Sequence, residues 1–156
     1  MSDRKPTVLV IDDEKVIRRV TRRALEPTFL VIEAADGEQG LALLDRRPTA
    51  VDLVLTDFVM PRIDGGRVIA VLSQYRPDLP ILGMTGPAVP ALREHAARHG
   101  VQVLEKPFDL STLRSIVQEV LAEWQKRKTA SAAPASPPVS LVDAARALTP
   151  FDREDG

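Results

Sequence analysis

The feature of this sequence that most restricts its fold is a regular alternation of two kinds of segment. Short apolar runs, rich in Val, Leu and Ile, alternate with stretches whose apolar residues recur every three or four positions. The first kind is typical of buried strands and the second of amphipathic helices. The predicted strands comprise residues 7–11, 29–32, 51–56, 80–84 and 101–104.

Strands that alternate with helices favour a parallel sheet, because each helix crosses one face of the sheet to reach the next strand. Five predicted strands alternate here with five predicted helices. We therefore predict an α/β fold with a doubly wound (βα)5 five-stranded parallel sheet. Helices cover both faces of such a sheet, which suits the uninterrupted apolar character of the strands.

The first predicted helix shows how the helical segments are recognised. Its apolar residues fall at helical spacing, at Ile17, Val20, Ala24 and Leu25. Its other face carries four arginines, which we interpret as a solvated surface: Arg18, Arg19, Arg22 and Arg23. A contact surface for a partner protein is the alternative interpretation.

The composition changes near Lys128. Residues 128–140 are rich in Ala, Ser and Pro, which is typical of an extended linker. Residues 141–156 form a short tail whose apolar residues recur at helical spacing, at Leu141, Val142, Ala145 and Leu148. The tail is either one short amphipathic helix or disordered, since so short a helix needs a surface on which to dock. We expect the compact domain to occupy residues 1–127.

The overall composition argues against several classes of protein. The 156 residues carry a net charge of −1, which gives no reason to expect binding to nucleic acid or to an anionic membrane. The chain has no cysteine, which excludes disulfides, thiolate metal sites and a cysteine nucleophile. No apolar run approaches the roughly 20 residues of a membrane helix, and the polar N-terminus does not resemble a signal peptide. We expect a cytoplasmic protein.

Charged residues directly follow three of the predicted strands. Asp12 and Asp13 follow the first strand, Asp57 the third, and Lys106 comes just after the fifth. In open α/β sheets the reactive groups lie at the carboxyl ends of the strands. If these strands are neighbours, the carboxylates and the lysine meet at one edge of the sheet. Taken singly, the Asp pair could equally be a helix cap and Lys106 a solvated strand end.

The ordered set of motifs resembles the receiver domain of two-component response regulators. The motifs are Ile11-Asp12-Asp13-Glu14, Asp57 with Met60-Pro61 and Asp64-Gly65, Thr85-Gly86, and Lys106-Pro107-Phe108. They occur in the family's order within residues 6–125, each at the end of a predicted strand. The resemblance implies a flavodoxin-like sheet with strand order 2-1-3-4-5.

The resemblance implies that Asp57 accepts a phosphoryl group from a sensor histidine kinase or a histidine phosphotransfer protein. A carboxylate can act as such a nucleophile and form an acyl phosphate. Lys106 and the Thr85 hydroxyl would contact phosphoryl oxygens, which suits a reaction that depends on alignment and charge neutralisation. The family also has a cis peptide bond between this lysine and Pro107.

The resemblance also implies a Mg²⁺ site. Asp13 and Asp57 would ligate the ion directly together with the Val59 carbonyl, and Asp12 would act mostly through water. Clustered carboxylates repel one another unless a cation joins them. Ligands that are all oxygen atoms suit Mg²⁺, which usually retains several waters.

We expect a response regulator without a DNA-binding output domain, because only about thirty residues follow the receiver. It would signal to a downstream protein effector through its fourth helix, fifth strand and fifth helix, and a homodimer is a further expectation. The tail helix would dock on that surface, on a second copy or on the effector. We do not expect an enzyme, beyond self-catalysed phosphotransfer and slow loss of the phosphoryl group.

Two alternatives belong to other functional classes. A pseudo-receiver would serve as a binding module independent of phosphorylation, although the intact set of acidic residues argues against it. A haloacid-dehalogenase-type phosphatase also uses an Asp nucleophile, Mg²⁺ and a lysine. Its first motif requires Asp-x-Asp, however, and Asp12-Asp13-Glu14 does not have that spacing.

Three positions depart from the family pattern. Val103 stands three residues before Lys106, where the family often has an aromatic residue that changes rotamer on phosphorylation. A β-branched aliphatic side chain cannot make that inward movement. Val59 and Pro87 stand where polar side chains help other receivers to orient a hydrolytic water. We predict that the family's usual coupling between the threonine, here Thr85, and the aromatic position is altered. We also predict a phosphoryl group that lasts for hours.

Overall fold

The computed structural model describes residues 4–86, 90–128 and 140–149. Its first ten elements alternate between strand and helix, and one further helix follows. The strands are β1 (Thr7–Ile11), β2 (Leu30–Ala34), β3 (Leu53–Asp57), β4 (Ile81–Thr85) and β5 (Gln102–Glu105). The helices are α1 (Lys15–Leu25), α2 (Gly37–Arg46), α3 (Gly65–Tyr75), α4 (Pro90–Arg98), α5 (Leu110–Lys128) and α6 (Leu141–Arg146).

The five strands form one parallel sheet in the order β2-β1-β3-β4-β5. The predicted fold class and strand order are confirmed. The direction in which the chain adds strands reverses at β1, because β2 lies on one side of it and β3 on the other. Doubly wound sheets bind their ligands at the carboxyl ends of the strands beside such a reversal.

Helices cover both faces of the sheet. Successive strand residues point to opposite faces, and the apolar residues on each face pack against the helices that cover it. On one side, Leu9 and Val54 belong to a cluster with residues of α2, α3 and α4. On the other side, Val8 and Leu55 pack with residues of α1 and α5. None of the described helices has an apolar stretch of the length that a bilayer crossing requires.

Four of the five strands begin one or two residues later than predicted. The prediction includes Phe29 and Val51, but the strand ladders begin after them. Both residues are nevertheless buried, because the loops at this end of the sheet also contribute to the core. Apolar character therefore marks burial rather than strand pairing. At the other end, β3 and β4 extend to Asp57 and Thr85 themselves.

The buried face of α1 differs from the predicted one. Thr21, Ala24 and Leu25 are buried, whereas Val20 is 39% exposed. The prediction that Val20 faces inward is wrong, because the docking of the helix selects a face rotated by one residue. Thr21 lies inside as a consequence, and its hydroxyl has no hydrogen-bond partner among the described residues.

The arginine surface of α1 is solvated only in part. Arg19 and Arg23 are exposed. The Nε atoms of Arg18 and Arg22 donate to Glu33, on the edge strand β2, at 3.2 and 2.7 Å. The interpretation as a solvated surface is therefore wrong for Arg18, whose side chain is 15% exposed, whereas the Arg22 side chain is 35% exposed and stays partly solvated. These two side chains instead join α1 to the edge of the sheet.

The tail helix α6 lies against α2 and α3, in the apolar cluster on that side of the sheet. Ser140 caps it by accepting a hydrogen bond from Asp143 N at 3.1 Å. The docking surfaces expected from the sequence do not include this one. Periodicity shows that the tail has an apolar face, but it does not show which surface covers that face. Linker residues 129–139 lie outside the described part of the chain.

Candidate functional site

Four of the predicted site residues lie at the carboxyl ends of strands in the sheet. Asp12 follows β1, Asp57 ends β3, Thr85 ends β4 and Lys106 follows β5. Lys106 Nζ lies 3.1 Å from Asp12 Oδ2 and 3.3 Å from Asp57 Oδ2. The parallel sheet thus brings together charged groups that are far apart in the chain.

Three carboxylates form an oxygen cluster at this edge. Oxygen atoms of Asp12, Asp13 and Asp57 all lie within 4.8 Å of one another. Asp12 is fully buried, Asp57 is 7% exposed and Asp13 is exposed. Three carboxylates and one lysine leave an excess of negative charge in a partly buried place, which favours a bound cation. Donors that are all oxygen atoms fit a hard divalent cation such as Mg²⁺.

Each of the two buried carboxylates uses its oxygens for different partners. Asp12 Oδ1 accepts a hydrogen bond from Glu14 N at 2.9 Å, and Asp57 Oδ1 accepts one from Phe58 N at 2.8 Å. The other oxygen of each faces Lys106, so both carboxylates are held from two sides. The N-cap position of α1 is Glu14, so the aspartate pair does not serve as its cap.

The charges of the site are coupled. Burial raises the pKa of Asp57 to about 6, because the ionised form loses hydration. The charge of Lys106 lowers this pKa and that of Asp12 raises it, each by less than burial does. Burial also lowers the pKa of Lys106, but Asp57 and Asp12 together outweigh burial and raise it above its usual value. At neutral pH the lysine is charged and Asp57 is mostly ionised.

The loop between β3 and α3 closes tightly behind Asp57. A Cβ atom on Gly65 would lie 2.0 Å from Asp57 O and 2.6 Å from Phe58 Cα, so only glycine fits there. Gly65 N donates to Phe58 O at 2.8 Å. Asp64 caps α3 by accepting a hydrogen bond from Arg67 N at 2.9 Å. The Asp-Gly motif therefore holds the backbone that carries Asp57.

The remaining predicted residues border the same edge of the sheet. Val59 lies two residues after Asp57 and is 49% exposed. Thr85 is buried, and its carbonyl accepts a hydrogen bond from Lys106 N at 2.7 Å. The Lys106–Pro107 peptide bond is cis. The structure thus places every predicted site residue at one edge of the sheet.

A comparison with protein families decides what kind of domain this is. The family model described as the response regulator receiver domain matches residues 8–118, which is more than half of the chain. The chain belongs to the response regulator receiver family.

Curated relatives of this receiver include proteins of different overall construction. The sensor kinase CckA of Brucella abortus (strain 2308) is 35% identical over 117 residues, which cover 74% of this chain and 12% of the kinase. The response regulator MprA of Mycobacterium sp. (strain KMS) is 33% identical over 150 residues, which cover 94% of this chain and 61% of MprA. This receiver therefore spans less than two thirds of the length of either relative.

Solved structures show the same fold. The signal receiver domain of an HD domain-containing protein from Pseudomonas fluorescens Pf-5 has a TM-score of 0.72 at 29% identity, over 79% of this chain and 99% of that one. A CheY-like receiver domain protein from Methanospirillum hungatei JF-1 has a TM-score of 0.73 at 25% identity, over 79% of this chain and 98% of that one. Each is matched over almost its whole length, so the likeness covers a complete receiver domain.

The position at which receivers often carry a switching aromatic residue is filled differently here. Val103 is half-buried beside Gly83, where a Cβ atom would lie 3.6 Å from Val103 Cγ2. The same Cβ atom would lie 2.8 Å from Cε2 of Phe58, so the buried ring that directly follows β3 packs on this part of β4. The ring next to Asp57 is therefore enclosed by the core. Pro87 lies outside the described residues.

Sequence reasoning missed Arg18 as part of the site. Its Nη1 donates to Asp12 O at 2.7 Å, while its Nε binds Glu33. The side chain thus supports the backbone between Asp12 and Asp13. The one sequence signal is its position, about one turn into the helix that follows the acidic pair. The apolar spacing of α1 had assigned that position to solvent.

Proposed function

We propose that this receiver accepts a phosphoryl group on Asp57 from a phosphohistidine of a sensor kinase or phosphotransfer protein. The observation that carries the proposal is the position of the Lys106 ammonium group, within hydrogen-bond distance of both Asp12 and Asp57. It supplies fixed positive charge beside the nucleophile. Pre-positioned charge of this kind is a large contribution to catalysis of phosphoryl transfer.

In the proposed reaction an oxygen of Asp57 attacks the phosphorus atom, the phosphorus–nitrogen bond of the phosphohistidine breaks, and an acyl phosphate forms. The departing imidazole takes up a proton from solvent. The attack requires the ionised carboxylate, and a pKa of about 6 allows it at neutral pH. Lys106 would bind one phosphoryl oxygen, and the Thr85 hydroxyl would donate a hydrogen bond to another.

Asp12, Asp13 and Asp57, with the Val59 carbonyl, are the groups that would hold Mg²⁺. When bound, the ion supplies charge neutralisation for the phosphoryl oxygens. The described residues contribute the fixed orientation of the ligands. Glu14 N and Phe58 N each hold one oxygen of the two buried carboxylates.

The decisive test is phosphorylation from acetyl phosphate, followed by mass spectrometry of the intact protein. We expect the wild-type chain to gain one phosphoryl group in the presence of Mg²⁺ and none with excess chelator. Asp57→Asn should gain none, and the exposed control Asp109→Asn should behave like the wild type. Uptake by Asp57→Asn would overturn the proposal. No uptake by the wild type would also overturn it and would favour a binding module independent of phosphorylation.

Helix α1 supports the proposed identity of the donor. Val16 and Val20 are 71% and 39% exposed and lie four residues apart, on one face of the helix. The exposed Arg19 and Arg23 lie next to them in the sequence. Apolar side chains exposed among charged ones are typical of protein contact sites. We expect Val16→Asp to slow phosphotransfer from the kinase and to leave uptake from acetyl phosphate unchanged.

We further propose that the phosphorylated receiver signals by binding a protein through α4, β5 and α5. The net charge of −1 provides no attraction for nucleic acid. Light scattering with and without Mg²⁺ and beryllofluoride, a phosphoryl mimic, tests whether the partner is a second copy. A doubled mass with the mimic would show a homodimer. An unchanged monomer mass would direct the search to other proteins.

The acyl phosphate is proposed to be long-lived, and no turnover of phosphate esters is expected. Val59 is half-exposed at the position from which a polar side chain would orient an attacking water. An aliphatic side chain offers that water no hydrogen bond. We expect the label on purified phosphoprotein to persist for hours, and its loss within a minute would refute the proposed lifetime.

A further inference from the structure

The tail helix α6 is part of the core on its side of the sheet. Leu141 is 2% exposed and Ala145 is fully buried, in the same apolar cluster as Leu44 and Leu72. Those two partners belong to α2 and α3 respectively, and α6 packs against both helices. The tail therefore joins α2 to α3.

Polar contacts fasten α6 to both ends of α2. Asp45, near the end of α2, accepts hydrogen bonds from Leu141 N at 2.8 Å and Val142 N at 3.3 Å. Arg146, at the end of α6, forms an ion pair with Glu38 in the first turn of α2. The two helices consequently run antiparallel, and the end of α6 lies beside the start of α2.

The start of α2 touches the loop that follows Asp57. A Cβ atom on Gly37 would lie 2.3 Å from Ile63 O, so the first turn of α2 packs directly on this loop. Glu38 also lies 3.9 Å from Nη1 of Arg62, another residue of the loop. The ion pair is exposed and therefore weak, so the steric contact at Gly37 is the stronger link.

We propose that α6 is a clasp that positions the β3–α3 loop, residues 58–64, and thereby strengthens cation binding at Asp57. The proposal rests on the proposed function, because that loop carries the Val59 carbonyl and begins at the phosphoacceptor. With α6 docked, α2 and α3 are held on either side of the loop. By linkage, a cation or phosphoryl mimic bound at the site strengthens the docking of α6 by the same factor.

The first test compares the Mg²⁺ affinity of full-length variants by titration calorimetry. Leu141→Asp removes the docked apolar anchor and should weaken Mg²⁺ binding about tenfold, within the usual range of coupling between sites. Arg146→Ala removes the contact with Glu38 and should weaken it about threefold, since exposed ion pairs couple weakly. Loss of a positive charge by itself would strengthen cation binding, so a weaker affinity isolates the positional effect.

Arg46→Ala is the matched control for charge. Arg46 is an exposed arginine at the end of α2, and the structure describes no ion pair for it. This variant should bind Mg²⁺ at least as tightly as the wild type. If Arg146→Ala matches Arg46→Ala, the clasp is overturned. Should Leu141→Asp fail to fold, which circular dichroism would show, Arg146→Ala decides alone.

The second test is hydrogen exchange on the full chain, which reports on the clasp without phosphorylation. In Arg146→Ala, amides of residues 58–64 should exchange faster than in the wild type. In the wild type, Mg²⁺ with beryllofluoride should slow exchange in residues 141–146. Unchanged exchange in both segments would overturn the clasp. If the wild type binds no Mg²⁺ or takes up no phosphate, the proposed function fails. The clasp is then tested by amide exchange in residues 58–64 alone, which should still be faster in Arg146→Ala than in the wild type.

Discussion

Each end of the sheet has a positively charged side chain beside aspartate, Lys106 at the carboxyl end and Arg76 at the amino end. The two ends differ in how that positive charge is balanced. At the carboxyl end, Lys106 is shared between Asp12 and Asp57, and Asp13 adds a third carboxylate to the cluster. Negative charge is therefore in excess. Residues from separate elements meet there, and their arrangement depends on the whole sheet.

At the amino end, the corresponding charges are matched. Arg76 donates two hydrogen bonds to Asp78, at 2.9 and 3.0 Å, and a third to Pro48 O at 2.9 Å. Trp124 Nε1 donates to Asp78 O at 2.6 Å. The charges of Arg76 and Asp78, two residues apart in the chain, thus neutralise each other. A balanced pair needs no further partner, whereas an excess of carboxylates favours a bound cation.

The largest expected difference between the two ends concerns the reaction rate. Lys106→Ala should slow phosphorylation from acetyl phosphate by about 100-fold or more, because it removes fixed positive charge beside the nucleophile. Arg76→Ala should leave the rate close to that of the wild type. The initial rate of phosphoprotein formation measures both. Similar losses of rate in the two variants would contradict the statement that only the charge at the carboxyl end takes part in phosphorylation.

The next effect is on stability and has opposite signs at the two ends. Asp57 has a pKa of about 6 in the folded chain, above its ordinary value of 3.8, so the carboxyl group of the folded protein keeps its proton to higher pH. The contribution of Asp57 to the free energy of unfolding is most favourable below pH 3.8 and is lost as the pH rises to about 6. Without metal, Asp57→Asn should therefore raise the free energy of unfolding by up to about 3 kcal/mol at neutral pH.

Asp78→Asn should instead lower the free energy of unfolding by about 1–2 kcal/mol, because it breaks a charge-assisted pair. Urea unfolding of the wild type and both variants, with chelator and between about pH 4 and pH 8, measures the two effects. A destabilised Asp57→Asn would contradict the raised pKa. Added Mg²⁺ should stabilise the wild type more than Asp57→Asn, since one proposed ligand is then missing.

A smaller effect is expected for Trp124→Phe. Phenylalanine retains an aromatic ring but lacks the indole N–H that donates to Asp78 O. The loss of this hydrogen bond should lower the free energy of unfolding by about 1 kcal/mol. Phosphorylation should not change, because the contact lies at the amino end. Thermal unfolding together with the acetyl phosphate assay checks both statements. A slower phosphorylation would show that the two ends are coupled.

The smallest effect is expected for Arg18→Lys. Lysine has no planar fork and cannot bind Asp12 O and Glu33 together as arginine does. Mg²⁺ affinity should fall by about two- to fivefold, the equivalent of one modest hydrogen bond. Arg19→Lys, at an exposed position of the same helix, is the control for titration calorimetry. Equal affinities would restrict Arg18 to a role in folding.

What was predicted differs from what was missed in whether a local sequence pattern marks the position of each residue. Asp12, Asp57 and Lys106 were predicted to meet because each follows an apolar run, and parallel strands align such ends. Arg18 and its partner Glu33 were not, because their contact depends on the rotation of α1 about its axis and on β2 lying at the edge. The loss of Val20 from the core has the same cause.

Local sequence patterns are sufficient to predict the alternation of strands and helices, the placement of the charged residues at strand ends and the apolar stripe of the tail. These are local patterns, set by side-chain spacing and backbone preference. The packing of α6 on α2 and α3, and its contacts with Asp45 and Glu38, become evident only in the folded chain. An apolar stripe requires a cover, but the neighbour that supplies the cover is set by packing between distant segments.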